Sequence, residues 1–374
     1  MEKISSTYQD GKSCKRLCHI DRAFVCVPER QWMYSHHPSI TAFNGIYYAI
    51  WSNGRLNEDD AGQRVLICSS CDGLKWSSPT PLVGSLPGKH SELVLTAAGF
   101  YQNNGTLVAY IGSYEYKKEH LEAGVRKIGD RGHQDTNLLA VTTQNGTDWT
   151  APVSLDLPII PNHGPQRIAN GRLIISGNTS FPYTDNPDGL SGWTMSGIYP
   201  ASMQDSICDD SETFWEIQKL QGWPTALCEG SFYQTDDESL HLLLRSGEPR
   251  LWQSCSDDAG TGWSKPIPSE FPDNGSKFHF GRLPDGQFYY VGTPEPEPWG
   301  ARTPLVLSVS NNGKLFNRHW ILGDDEYIRR QDGMHKGGQY GYPHTWVADG
   351  YLFVIFSRMK EAIQVLRIPL DELT

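Results

Sequence analysis

The stretch YSHHPSITAFNGIYYAIWSNG, residues 34–54, decides the fold of this chain. Its centre is Asn44-Gly45, and the runs on both sides are rich in β-branched, aromatic and small apolar residues. Asn-Gly between two such runs is the strongest short-range signal of a β-hairpin. This hairpin nevertheless begins with His36 and His37, two titratable rings where a purely structural strand would carry apolar side chains.

The hairpin pattern recurs five more times along the chain. Each copy has an apolar run, a turn containing Gly, Asn or Asp, and a second apolar run. The later copies begin at His90, His163, Glu229, His279 and His344. Counted from His37, these starts are separated by 53, 73, 66, 50 and 65 residues. This spacing is typical of four-stranded blades, and we predict an all-β chain that forms a single β-propeller with six blades, residues 1–374.

A second repeat lies further along several of these units. The segments are SSCDGLKW ending at Trp76, TTQNGTDW at Trp149, SDDAGTGW at Trp263 and SNNGKLF at Phe316. They resemble the Asp boxes of sialidase-type propellers, in which an Asp or Asn caps the turn between the two outer strands of a blade. The aromatic residue of the box packs between blades. We therefore expect a structural role, and no catalytic role, for Asp72 and Asp258.

The two ends of the chain predict how the ring closes. AIQVLRIPL, residues 362–370, supplies a third strand after the last hairpin, and DRAFVCV, residues 21–27, can add the outer strand of the same blade. Closure removes exposed sheet edges.

The eight cysteines include the closely spaced pairs Cys14–Cys18 and Cys68–Cys71. Neither pair has a matched second pair nearby, so the spacing favours reduced thiols over a zinc site.

Charge and hydropathy restrict the partners of the protein. A formal net charge of −11 argues against nucleic acid and anionic membranes as partners. No run approaches the ~20 apolar residues of a membrane span. The first residues lack the apolar segment of a signal peptide, which predicts a cytoplasmic protein, or a secreted or periplasmic one if the natural chain begins earlier. We expect a monomer that requires no cofactor, with a structural Ca²⁺ or Zn²⁺ left open.

The histidines are explained by the geometry of a propeller. The innermost strand of each blade lines a central shaft, so the starts of these strands converge at one spot. A ring of titratable side chains there predicts a ligand site, since burying unpaired polar groups costs about 1–3 kcal/mol each. The ring consists of His37, His90, His163, Glu229, His279 and His344. Basic side chains predicted nearby are Arg126, Arg131, Arg167, Arg245, Lys277 and Arg282.

Several segments resemble a known group of enzymes. SHHPSITAFNGIYYAIWSNGRLNEDDAGQRVLICSSCDGLKW, NHGPQRIANGRLIISG, KFHFGRLPDGQFYYVGT and GYPHTW are similar to the propeller-type polysaccharide lyases. This group includes ulvan lyases and the enzymes that remove rhamnose from glucuronate, described both as α-L-rhamnosidases and as rhamnosyl-α-1,4-glucuronate lyases. The resemblance implies seven blades and an acidic oligosaccharide or polysaccharide as substrate. It also implies cleavage of a glycosyl-glucuronate linkage by β-elimination.

The resemblance further implies roles for particular residues. In such lyases a histidine pair, a tyrosine and an arginine act on a uronate, whose carboxylate must be neutralised before its C5 proton is removed. The matching catalytic positions are His37 with His36, Tyr114 or Tyr116, and Arg131 or Arg126, while His19 lies nearest to the place of the family's other histidine.

Two other classes of function remain open from the sequence. A glycoside hydrolase would need a pair of carboxylates, or, if it is sialidase-like, an arginine triad with a Tyr/Glu pair. The candidate arginines for such a triad are Arg167, Arg245 and Arg282. The third class is a propeller that binds glycans without catalysis.

Overall fold

The structure, a computed structural model, describes residues 2–122, 125–127, 133–199 and 218–373. Regular structure in these residues is almost entirely β. The strands are β1 (Ser5–Ser6), β2 (Lys15–Arg16), β3 (Asp21–Cys26), β4 (Tyr34–Phe43), β5 (Ile46–Gly54), β6 (Arg64–Ser70), β7 (Thr80–Val83), β8 (Val94–Asn103), β9 (Thr106–Tyr116), β10 (Leu121–Glu122), β11 (Val125–Arg126), β12 (His133–Thr143), β13 (Val153–Ser154), β14 (His163–Arg167), β15 (Leu173–Ser176), β16 (Tyr183–Thr184), β17 (Cys228–Gln234), β18 (Leu240–Arg245), β19 (Arg250–Ser256), β20 (Ile267–Pro272), β21 (His279–Arg282), β22 (Phe288–Gly292), β23 (Leu305–Ser310), β24 (Leu315–Phe316), β25 (Arg318–Gly323), β26 (Gly341–Ala348), β27 (Tyr351–Arg358) and β28 (Ala362–Pro369).

Helical structure is sparse. Three 3₁₀ helices are Gly11–Ser13, Lys118–His120 and Leu370–Leu373, and a helical stretch covers residues 218–220. Within the described ranges no helix is long and apolar enough to cross a membrane.

The strands form antiparallel sheets arranged as the blades of a propeller. The four-stranded cores of five blades are β4-β5-β6-β7, β8-β9-β12-β13, β17-β18-β19-β20, β21-β22-β23-β25 and β26-β27-β28-β3. Short segments extend two of these sheets, because β1 and β24 follow β20 while β2 pairs with β25. A two-stranded ribbon, β10-β11, stands apart from the blades.

The predicted number of blades was wrong. The sequence predicted six and the resemblance implied seven, whereas the described residues form five blades of at least four strands. The hairpin that begins at His163 forms only a three-stranded sheet, β14-β15-β16. Among the described residues, isolated bridges also join Ser180 to Gly197 and Tyr183 to Thr194 at this sheet.

The ring closes as the chain ends predicted. Strand β28 pairs antiparallel with β3, with Gln364 opposite Phe24, so the first and last parts of the chain share one blade. The first strand of that blade, β26, contacts β4 of the next, and β4 in turn contacts β8. Apolar clusters fill the spaces between neighbouring sheets, and each cluster draws its side chains from two blades.

The Asp-box turns occupy the predicted place between the third and fourth strands of their blades. In the third box Asp258 accepts hydrogen bonds from the Ser256 hydroxyl at 2.7 Å and from the Gly262 amide at 2.9 Å. Trp263 packs against Phe181 of the preceding sheet, with 5.2 Å between ring centroids. Both predicted features, the capped turn and the aromatic wedge between sheets, are confirmed here.

The capping role predicts a modest loss of stability for Asp258→Ala. We expect the free energy of unfolding to fall by about 1 kcal/mol, because the Gly262 amide and the Ser256 hydroxyl lose a shared acceptor. Asp257→Ala is the matched control, since that adjacent carboxylate is exposed and bonds only to the Ser239 hydroxyl among the described contacts. Urea unfolding of both variants measures the difference, and an equal effect of the two substitutions would contradict the capping role.

Candidate active site

Three blades share a backbone irregularity near the start of the first strand. The register of β4, β17 and β26 shifts between His36 and Ser39, between Cys228 and Ser231, and between Gly341 and His344, which marks a β-bulge in each. The residues in the bulges with left-handed backbone are His37 (φ 53°), Glu229 (φ 53°) and Tyr342 (φ 54°). Non-glycine residues with positive φ store strain and concentrate at functional sites, and bulges re-aim side chains.

All three side chains line one pocket at the end of the shaft where these strands begin. The cavity has a volume of about 530 Å³. Its charged lining consists of Glu58, Asp59, Glu229, Arg126, Arg245, Arg302 and Lys360. Four cations against three carboxylates make the pocket suitable for an anionic ligand, although the whole protein is acidic. The exposed ring of Trp299 lies at the same cavity and offers an apolar face.

Tyr342 and Glu229 form the closest polar pair in this pocket. The Tyr342 hydroxyl donates to Glu229 Oε1 at 2.5 Å. Arg245 holds both partners, because its Nε forms an ion pair with Glu229 Oε2 at 3.0 Å and its Nη1 donates to the Tyr342 oxygen at 3.2 Å. Burial raises the pKa of the Tyr342 phenol well above its usual value, while Arg245 lowers it. Glu229 lies within hydrogen-bond distance of this phenol and can accept its proton.

Further cations surround the Tyr342 ring. The guanidinium of Arg302 lies 5.4 Å from the ring centroid and that of Arg245 lies 5.9 Å away. The Lys277 ammonium lies 5.4 Å from the same centroid. Arg302 Nη1 is buried and has no hydrogen-bond partner among the described residues, so a donor remains available for a ligand.

Two adjacent carboxylates on another wall have opposite pKa shifts. Burial, followed by the neighbouring charge of Glu58, raises the pKa of Asp59 to about 6. Burial also raises the pKa of Glu58, but Lys360 more than reverses this, and the pKa falls to about 2. The Lys360 ammonium donates to both Glu58 oxygens at 2.6 Å. Titratable pairs separated in this way mark acid and base roles, and Asp59 is the group that can carry a proton near neutral pH.

The histidine pair at the start of the first hairpin, His36 and His37, lies beside Tyr342. The ring centroids of His36 and His37 lie 4.1 Å and 5.3 Å from that of Tyr342. Burial and the Lys277 charge lower the pKa of His37 to about 3, so this ring is neutral at pH 7. Its Nδ1 lies 3.1 Å from the hydroxyl of Ser52, which already accepts the Ala97 amide. The serine proton is thus directed to Nδ1, which leaves Nε2–H as the donor that His37 offers.

Several other predicted residues reach the same pocket. Tyr114, Tyr116 and Arg126 line it, and Arg126 Nη1 donates to the Tyr116 hydroxyl at 3.0 Å. Arg131 lies outside the described residues. Lys277 is buried in the shaft, where its ammonium donates to the backbone oxygen of Asn162.

The predicted ring of titratable side chains is only partly present. His163, His279 and His344 do face the shaft, but they form a separate cluster and do not line the pocket. His90 was wrongly placed at a strand start. Strand β8 begins at Val94, and His90 lies in the preceding bend, where its amide donates to Glu115.

Three other predicted binding residues lie away from this pocket. Arg167 and Arg282 line a second cavity of about 510 Å³, formed where the first strands end rather than where they begin. Strand β14 is five residues long, from His163 to Arg167, and this length carries the arginine to the opposite end of the shaft. His19 lies on the surface, 78% exposed, in an ion pair with Glu372.

Sequence reasoning missed the residues that carry most of the site's chemistry. They are Glu58, Asp59, Trp299, Arg302, Tyr342 and Lys360. One signal was available. Tyr342-Pro343 repeats the pattern of His37-Pro38, an inward residue followed by proline, and Glu229-Gly230 is the same position in a third blade. The hairpin pattern predicts the start of the last repeat at His344, two residues beyond the bulge position.

Comparison with known proteins agrees with this architecture. The sequence matches the BNR repeat-like domain over residues 47–354. No curated protein matches the sequence. Among solved structures, a sialidase covers 99% of this chain at 17% identity and a TM-score of 0.57, and the chain spans 35% of that protein.

Two further solved structures are similar to most of the chain. A mutant of Trypanosoma rangeli sialidase displaying trans-sialidase activity aligns with 96% of this chain and 60% of its own at 15% identity, with a TM-score of 0.63. The intramolecular trans-sialidase of Ruminococcus gnavus aligns with 94% of this chain and 98% of its own at 12% identity, with a TM-score of 0.64. At these identities the likeness establishes the shared fold. The sequence match spans well over half of the residues, and the chain therefore belongs to the BNR repeat-like family.

Proposed function

We propose that this protein is a glycoside hydrolase of the sialidase type, which releases a terminal sugar that bears a carboxylate. The observation that carries the proposal is the 2.5 Å hydrogen bond from Tyr342 to Glu229, in a pocket where Arg245 contacts both partners. Sialidases are the glycosidases that use a tyrosine nucleophile in place of a carboxylate. Sialidases and trans-sialidases with the same fold support this class of reaction.

The arrangement assigns each step to a side chain. Tyr342 attacks the anomeric carbon while its proton passes to Glu229, and Asp59 protonates the departing glycosidic oxygen. A covalent glycosyl-tyrosine results. Asp59, now ionised, takes a proton from the water that attacks the anomeric carbon. The bond to Tyr342 breaks, Glu229 returns the proton to the tyrosine oxygen, and the configuration of the sugar is retained.

The anion of the substrate lies next to the guanidinium groups of Arg245 and Arg302. Planar guanidinium groups recognise carboxylates better than ammonium groups do. A sialidase-type site would hold the carboxylate with three arginines, whereas only two flank the Tyr342 ring among the described residues, since Arg126 lies at Tyr116. The neutral donor of His37 lies near the same ring and can bind a substrate oxygen.

Elimination from a rhamnosyl-glucuronate is the second candidate. One observation favours it, because His37, Tyr114, Tyr116 and Arg126 do line a single pocket. The pKa of His37, about 3, counts against it, since such a ring is neutral at pH 7 and is a weak base. The hydrolase explains the Tyr342–Glu229 pair, for which the elimination has no role.

The two candidates give different products, and one experiment separates them. The purified chain is incubated with aryl glycosides of sialic acid, of glucuronic acid and of neutral sugars, and with rhamnosyl-glucuronate oligosaccharides. We expect release of the aryl group from at least one acidic glycoside, incorporation of solvent oxygen at the anomeric carbon, and loss of activity when the carboxylate is reduced to the alcohol.

A trapping experiment tests the covalent step directly. 2,3-Difluorosialic acid forms a covalent intermediate with a Trypanosoma rangeli sialidase. With this reagent, or with the corresponding fluorinated uronosyl fluoride, we expect the mass of one sugar on the peptide that contains Tyr342. An unsaturated uronate as product would contradict hydrolysis, and equal turnover of neutral glycosides would contradict the need for a carboxylate on the sugar. Either result would overturn the proposed function.

A further inference from the structure

Three histidines from three different sheets meet inside the shaft, outside the pocket described above. His163 begins β14, His279 begins β21, and His344 lies in β26. Their ring centroids are 4.5, 4.6 and 5.8 Å apart. His163 and His279 are buried, with 2% and 6% of their surface exposed. The reaction proposed above assigns no role to any of them.

From this cluster we infer a binding site for a divalent transition-metal ion of the zinc class, held by His163, His279 and His344. One nitrogen from each ring lies within 4.8 Å of the others. Three imidazoles on one tetrahedral ion, with metal–nitrogen bonds of about 2.0–2.1 Å, place their ring centres about 5 Å apart. The observed separations bracket that value, so the rings need only small shifts.

Hydrogen bonds select the nitrogen that two of the rings offer. His163 Nε2 lies 3.2 Å from the backbone oxygen of Phe278 and donates to it, which leaves the lone pair on Nδ1. That Nδ1 atom is buried and has no hydrogen-bond partner among the described residues. His279 Nδ1 bonds to the Thr345 hydroxyl at 2.6 Å, which leaves Nε2 for the ion. Such outer partners orient metal-binding histidines in known sites.

The third ring, His344, must lose a hydrogen bond when it binds the ion. His344 Nδ1 accepts the Ile40 amide over 3.3 Å, so the proton of this neutral ring is on Nε2. To coordinate the ion through Nε2, the ring moves that proton to Nδ1 and gives up this long hydrogen bond. Imidazole ligands suit Zn²⁺, Cu²⁺ and Ni²⁺, whereas Ca²⁺ requires oxygen ligands.

An ion at this position would add coordination bonds to the hydrogen bonds and side-chain packing that join these three sheets. It would thus be structural, and it is independent of the glycosidase proposal. The expected consequence is a higher thermal midpoint when the ion is bound.

The experiment uses the full, untagged chain after removal of metals with a chelator. Titration with ZnCl₂ is followed by calorimetry, and titration with CoCl₂ is followed by visible absorption. We expect one ion per chain, the strong visible bands of a tetrahedral cobalt site, and a rise in the unfolding temperature. His163→Ala and His279→Gln should each weaken binding at least about 10-fold, and Thr345→Val should weaken it about 10-fold while all three ligands remain.

The control variant is His319→Gln, which changes a half-buried histidine of another part of the propeller, bonded to Thr7 and Ser308. Zinc affinity should not change in this variant. The absence of saturable binding, unchanged affinity in both His163→Ala and His279→Gln, or a cobalt spectrum dominated by thiolate charge transfer would each overturn the site. The last result would assign the ion to cysteines such as the exposed Cys71.

Discussion

Tyr342→Phe is expected to lower kcat/KM for hydrolysis of an acidic glycoside by at least about 10³-fold, because it removes the attacking oxygen and leaves the rest of the site in place. The ring packs against His36 at 4.1 Å between centroids, and phenylalanine preserves that contact. KM should change little, since Arg245 and Arg302 still bind the carboxylate. Steady-state kinetics with a fluorogenic aryl glycoside measure both parameters.

Glu229→Gln should reproduce most of this loss, since the amide cannot accept the phenolic proton. The matched control is Tyr340→Phe. Tyr340 lies two residues away, and its hydroxyl donates to Asp325 Oδ1 at 2.6 Å, outside the pocket. Activity close to wild type is expected for that control. Full activity of Tyr342→Phe, with an unsaturated uronate as product, would contradict the nucleophilic role and favour the elimination.

The fold could be predicted because its signals are local. Asn44-Gly45 sets a two-residue turn, and the runs on either side alternate between two apolar faces, so the hairpin is specified within residues 34–54. The Asp boxes are equally local, as the bonds from Ser256 and Gly262 to Asp258 show. The closure of the ring could also be predicted, because the apolar runs 21–27 and 362–370 belong to no other predicted hairpin. The number of complete blades could not be read in this way, because a hairpin signal such as the one at His163 does not specify how many further strands pair with it, and the described residues of that sheet form three strands.

The site was harder to predict because its residues are positioned by irregular backbone. A β-bulge adds one residue to a strand and changes which side chain faces the shaft, so the alternation of the sequence is lost there. His344 packs against His163 and His279 and does not line the pocket, whereas Tyr342 on the bulge does. Asp59 lies in NEDDAG, a segment that reads as an ordinary turn, and Arg302 is brought in by contacts distant in sequence. The tertiary structure, rather than the local sequence pattern, determines the pKa of Asp59 and the neighbours of both residues.

Asp59→Asn is expected to lower kcat by about 10²–10⁴-fold for glycosides with alkyl leaving groups, which depart only when protonated. Aryl glycosides with acidic leaving groups should lose much less, because they need little protonation. The wild-type rate should fall as the pH rises through about 6, since a general acid acts only in its protonated form and the pKa of Asp59 is about 6.

Glu58→Gln should move that alkaline limb of the pH–rate profile to lower pH, because the charge of Glu58 raises the pKa of Asp59 and the remaining Lys360 lowers it. The control is Asp60→Asn, a neighbouring carboxylate that bonds to the Asn57 amide at 3.0 Å and should leave the limb in place. Rates measured for both substrate types across the pH range decide the matter, and an equal loss for alkyl and aryl glycosides would show that Asp59 is not the acid.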